Sequence, residues 1–216
     1  MIDKDNSVNI KETQDIKGDN RDTYHHGDLR EALIRAGVAA LDDGTSVEEL
    51  SLRALARSVG VSATAVYRHF PDKAALLAAL ALAGLDRLGN AQQAAAQQAA
   101  GGGGLAAFGA SGGAYIRFAL AHPALFRLIW VCTPKGDLFA VEADHTHAAM
   151  AELRRAIAAN LPPDATPEAR RAAALSCWSL VHGLAMLALD GQITLDEATI
   201  DRVVGGLTGA FEGSAA

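Results

Sequence analysis

The stretch SLRALARSVGVSATAVYRHF, residues 51–70, constrains the fold more than any other. Leu52, Leu55, Ala56 and Val59 recur at i, i+3, i+4, i+7, the spacing of a helix with one buried face. Ser51 is a good N-cap for it. Gly60 ends it and permits a positive φ in a tight turn. A second run opens at Ser62, again an N-cap, and ends near His69. It turns Val61, Ala65, Val66 and Phe70 inward and leaves Ala63, Thr64, Tyr67 and Arg68 outward. Two short helices about a glycine turn are the elements of a helix-turn-helix.

The charge of this stretch departs from that of the chain. The formal net charge is -6, yet residues 51–70 carry Arg53, Arg57 and Arg68 and no acidic residue. Net acidity argues against a protein coated in nucleic acid, but a few residues on one face suffice for phosphate contacts. A helix entering a major groove needs outward residues that are small or that bond to base edges. Ala63 is small, and Thr64 adds a hydroxyl and a methyl suited to thymine. Ser62 stands at the head of the same helix. Tyr67, His69 and Lys73 are candidates for phosphate oxygens. Arg53 reaches a guanine edge or a phosphate. Carboxylates on this surface would repel the duplex.

The remainder of the chain reads as all-α. Half of the residues are hydrophobic but only 5% are aromatic, so alanine, the best helix former, carries the apolar content. A first helix is expected over about 28–42, a fourth from near Asp72, and others at about 105–121, 123–131, 137–160, 167–190 and 195–211. Thr166 with Pro167 reads as an N-cap with proline at N1, and Thr194 with Glu197 as a capping box. GNAQQAAAQQAAGGGG, residues 89–104, reads as a helix tail fraying into a flexible loop where one module hands over to the next. Residues 1–24 are polar and contain no alanine, as expected of a disordered arm or a vector-derived leftover. Cys132 and Cys177 lie in apolar helical surroundings and suit reduced thiols in a cytoplasmic protein. Residues 172–189 carry no formal charge, yet Ser176, Ser179, His182 and Gly183 favour a buried helix over a membrane span.

GVSATAVYRHFPDKAALL, residues 60–77, resembles the TetR family of bacterial transcriptional regulators, with Gly60, Tyr67, His69, Phe70 and Lys73 at the positions of its signature. ALIRAGVAALDDG and LSLRALARSVG resemble the family's first and second helices. The resemblance implies a three-helix DNA-binding head over 25–85 and an effector-binding and dimerisation bundle over 86–216. It implies that Arg53 and Thr64, with Ala63 and Ala65 beside them, contact bases, and that Tyr67, His69 and Lys73 contact phosphates. An alanine-rich recognition helix leaves direct readout thin and gives room to shape readout. YIRFALAHPALFRLIW and CWSLVHGLAMLALDG resemble a C-terminal domain subgroup marked by Trp, His and Gly, here Trp178, His182 and Gly183. An effector pocket is implied, with Phe118, Phe126, Trp130, Trp178, His182 and Met186 as its candidate residues. A homodimer built through the last two helices would bind a near-palindromic operator, with recognition helices about 34–36 Å apart.

Two other readings compete. Asp144, His145 and His147 form a D-H-x-H cluster, but helical neighbours two apart point in different directions. Cys177 and His182 are five apart in an apolar stretch, and no phosphate loop or nucleophile elbow is present. No catalytic residue, metal or cofactor is therefore expected. The other alternative is a helical ligand- or protein-binding module without DNA binding, against which the Tyr67–Lys73 motif speaks.

Overall fold

In the computed structural model, residues 26–132 and 148–212 are described. The head is built from α1 (His26–Asp42), α2 (Leu52–Val59) and α3 (Ala63–His69). Each of the last two starts where its serine predicts. Ser51 Oγ accepts from Ala54 N at 3.0 Å, and Ser62 Oγ from Ala65 N at 3.2 Å. Gly60 takes φ 77° between them, a left-handed conformation that costs glycine nothing. Leu33, Leu52, Leu55, Val66 and Phe70 close the head's core, and the Arg30 guanidinium lies 5.4 Å over the Phe70 ring.

Asp72 caps α4 (Lys73–Ala99) through Ala75 N at 2.8 Å. This helix does not fray. It runs on to Ala99, continues as a 3-10 turn over Ala100–Gly102, and breaks at Gly103, φ 91°. The expected division at 85/86 therefore falls inside one continuous helix. α4 approaches the head at Gly37, where a Cβ would lie 2.7 Å from Leu80 Cδ2. It approaches the body one turn later, at Gly84, where a Cβ would lie 2.9 Å from Leu125 Cδ1 and 3.0 Å from Ile129.

The body comprises α5 (Gly104–Ala121), α6 (Pro123–Cys132), α7 (Ala148–Asn160), α8 (Pro167–Leu189) and α9 (Glu197–Glu212). α5 lies at its centre, packed by α4, α7, α8 and α9, and turns through 107° into α6 at Pro123. Thr166 caps α8 as its sequence predicts, with Pro167 at the first position. The expected Thr194–Glu197 box is replaced. Asp196 Oδ1 accepts from Thr199 N at 2.7 Å, so the cap sits two residues further on. That start sets Glu197 and Asp201 against Arg117 of α5, both at 2.6 Å. The first part of the helix expected over 137–160 and the 1–24 arm lie outside the described residues, as does the Asp144–His147 cluster.

α8 is less buried than its composition suggested. α4 and α8 are both long and apolar enough to cross a membrane by length and composition. Yet α8 buries one face, Ala174, Cys177, Val181 and Ala185, and leaves Leu180 and Leu187 exposed on another. Gly183 has nothing within 4 Å of where its Cβ would stand.

Candidate nucleic-acid interface and core cavity

The outer face of α2 and α3 is open. Arg53, Arg57, Thr64 and Arg68 are exposed, and Tyr67 is 45% exposed, high for a large aromatic. Ala63 and His69 are half-buried at the edge of this face. Two acids flanking it, Glu49 and Asp72, are engaged elsewhere. Glu49 Oε2 accepts from Ser46 N and Oγ at 3.0 and 2.9 Å, and these bonds hold its carboxyl below the usual range. Asp72 is spent on its cap. Ser62 uses its oxygen as a cap acceptor and keeps its hydroxyl proton to donate. Lys73 is half-buried, and its Nζ donates to the Glu48 carbonyl at 2.7 Å. It ties the start of α4 to the loop ahead of α2 and retains two further donors.

In the body, α5, α6 and α8 bring five rings together. Tyr115 Oη lies 2.9 Å from His182 Nδ1. Trp178 stacks on His182 with centroids 4.7 Å apart and planes 12° apart, and Trp130 meets both edge-on. Phe126 closes the cluster against Tyr115 at 5.4 Å. Burial lowers the His182 pKa, so its neutral form prevails. In the neutral tautomer with its proton on Nε2, the ring accepts from the Tyr115 hydroxyl. Burial also raises the Tyr115 phenol well above its usual range, and the adjoining indole N–H groups of Trp178 and Trp130 offset only part of that.

Beside this cluster lies a cavity between α4, α5, α7 and α8, with about 30 Å³ open to the centre of a water molecule. That admits a water or two. Trp178 and Tyr115 border it, together with Gln92, Phe108, Ser111 and Cys177. Burial pushes the Cys177 thiol up to about 11, so it stays protonated and unreactive.

The model of tetR-family bacterial regulatory proteins matches residues 45–80, and that of the tetracyclin repressor-like C-terminal domain matches residues 108–209. The chain belongs to the TetR family. A solved protein of unknown function from Rhodococcus sp. RHA1 is 37% identical over 89% of this chain and 98% of its own, with TM-score 0.64. The TetR protein of Acinetobacter baumannii AYE shares the fold at 18% identity, covering 84% and 95% of the two chains, TM-score 0.59. A tetR-family transcriptional regulator from Streptomyces coelicolor does so at 21% identity, 87% and 80% coverage, TM-score 0.56. No curated protein matches the sequence.

Membership makes the chain a DNA-binding regulator of transcription, on a fold that is typically non-enzymatic. Among the described residues no group of three or more His, Cys, Asp or Glu side chains could hold a metal ion. For this TetR-family chain the candidate pocket residues divide. Phe126, Trp130, Trp178 and His182 meet in the aromatic cluster, and of these Trp178 also borders the cavity. Phe118 packs on His122 at 4.8 Å, and neither it nor Met186 borders the cavity. Sequence reasoning missed Gln92, Ser111 and Tyr115. One signal existed for Gln92, which continues the buried row of Leu85 and Leu88 at helical spacing, the place of an apolar residue.

Proposed function

We propose that the protein is a cytoplasmic homodimeric repressor that occupies a near-palindromic operator and leaves it when a small molecule enters the core. The observation that carries this is the exposed, acid-free outer face of α2 and α3 on an otherwise acidic chain. In this reading α3 enters the major groove, where Thr64 and Arg53 read bases with Ala63 allowing close approach. Ser62, Tyr67, His69 and Lys73 hold phosphates and set the register. The division into a head over 25–85 and a body over 86–216 follows function, with α4 as the link. The open apolar face of α8, with Leu180, Gly183 and Leu187, pairs together with α9 against a second copy.

In this reading the small cavity sets what an effector must do. A drug-sized ligand needs about 300–1,000 Å³, so its binding requires α5, α7 or α8 to move outward. An effector therefore prefers the widened body and shifts the equilibrium by that difference in affinity. α4, packed on both modules, carries the change to α3. Selection of bound duplexes from random DNA, with and without a metabolite extract, tests the reading. A two-fold motif bound by two copies and lost on adding extract is expected. A monomer that ignores every duplex at low ionic strength would overturn it.

A further inference from the structure

We infer that the core cavity takes an uncharged, largely apolar ligand carrying a hydroxyl, and that Gln92 Oε1 accepts that hydroxyl's proton. This rests on the effector reading above and assigns the chemistry of its site. Gln92 is only 7% exposed and projects from α4 among apolar neighbours. Its Nε2 donates to Ser111 Oγ at 3.4 Å, which orients the amide. Its Oε1 is buried and has no hydrogen-bond partner within the protein. A buried carbonyl oxygen left unpaired is costly, and a donor arriving from the cavity removes that cost.

The rest of the lining decides charge and shape. Among the described residues around the cavity there is no Asp, Glu, Lys, Arg or His. An ionised ligand would lose its hydration with no counter-charge to replace it. Phe108 and Trp178 offer ring faces and edges to a flat apolar body. Tyr115 is engaged with His182 and Cys177 remains a protonated thiol, which leaves the Gln92 oxygen as the unmet acceptor. The ligand class is thus a neutral aromatic or alicyclic alcohol or phenol.

The test uses the full-length protein and three probes of one skeleton: a naphthol, its methyl ether and the matching naphthoate. Binding is read by quenching of tryptophan fluorescence and by thermal shift. The naphthol should bind about tenfold or more tighter than the ether, and the naphthoate weakest. Gln92→Leu and Gln92→Met should shrink the naphthol-to-ether ratio towards one while the ether still binds, which also shows that the variants are folded. Equal binding of naphthol and ether, preference for the naphthoate, no binding of any probe, or an unchanged ratio in both variants would overturn the assignment. Operator release is measured separately. Naphthol binding without release would sink the effector reading but leave the ligand class standing. Release by a charged compound bound in the cavity would do the reverse.

Discussion

His122 Nδ1 meets Asp42 Oδ1 at 2.7 Å, joining the end of α5 to the last residue of α1. Arg87 of α4 completes the cluster, its Nη1 2.8 Å from Asp42 Oδ2 and its Nη2 3.4 Å from His122 Nε2. Head, link and body thus share one carboxyl group.

That carboxyl makes stability pH-dependent. Burial works against ionisation of Asp42, but hydrogen bonds from Arg87 and His122 and the attraction of both outweigh it, and its pKa lies below the ordinary 3.8. A lowered folded-state value contributes stability in full above the unfolded value and loses it as pH falls through the folded one. Asp42→Asn should cost about 1 kcal/mol at neutral pH. The gap between variant and wild type in urea midpoint should close at pH values well below 3.8. A gap that persists there would show that the charge is not what matters.

Tyr115→Phe removes the only hydroxyl in the five-ring cluster and leaves His182 Nδ1 without the partner it has there. A loss of about 1–3 kcal/mol in denaturant unfolding is expected. His182 itself, lowered by burial from 6.5, resists protonation when folded but not when unfolded. Its contribution is therefore whole above that value and declines as pH falls from it towards the folded one. NMR titration should find the ring neutral with its proton on Nε2 below pH 6.5.

Gly84→Ala drives a methyl into Leu125 and Ile129, both fully buried. Overpacking of this kind costs about 1–3 kcal/mol, against about 1 kcal/mol of helix propensity gained. A net loss of about 1 kcal/mol is expected by chemical denaturation. Gly183→Ala meets no neighbouring side chain in the single chain, so it should stabilise the isolated chain and, if α8 pairs as proposed, weaken the dimer. Analytical ultracentrifugation across a dilution series separates these effects.

Lys73→Ala should show two losses at once. Release of the Glu48 carbonyl lowers the melting temperature by a few degrees, the equivalent of about 1 kcal/mol. Loss of a phosphate contact should weaken binding to every duplex and reduce the salt slope by about one unit. A lowered melting temperature with unaltered DNA binding would confine Lys73 to a structural role.

The head was legible because its signals are local. Ser51, Gly60, Ser62 and Asp72 each act on backbone groups within a few residues, so their positions fix the helix ends wherever the helices pack. The start of α9 was not. Thr194 and Asp196 are both able caps, and the start at Asp196 also sets Glu197 against Arg117, 80 residues away, a contact no local signal shows. The cavity was hidden for the same reason. Gln92 sits in a glutamine- and alanine-rich stretch that reads as a tail fraying into a loop until α5 and α7 are placed against it. Phe118 has the composition of a pocket residue, but its register on α5 turns it towards His122 instead.

The glycine contacts at positions 37 and 84 hold one face of α4, within a single turn, against α1 and α6, which also touch each other, so the helix is pinned there. From Gly84, at about 1.5 Å per residue, Gln92 lies about 12 Å to one side and Lys73 about 16 Å to the other. A rigid rod held at one such point would turn a displacement at its cavity end into an opposite one at its Lys73 end.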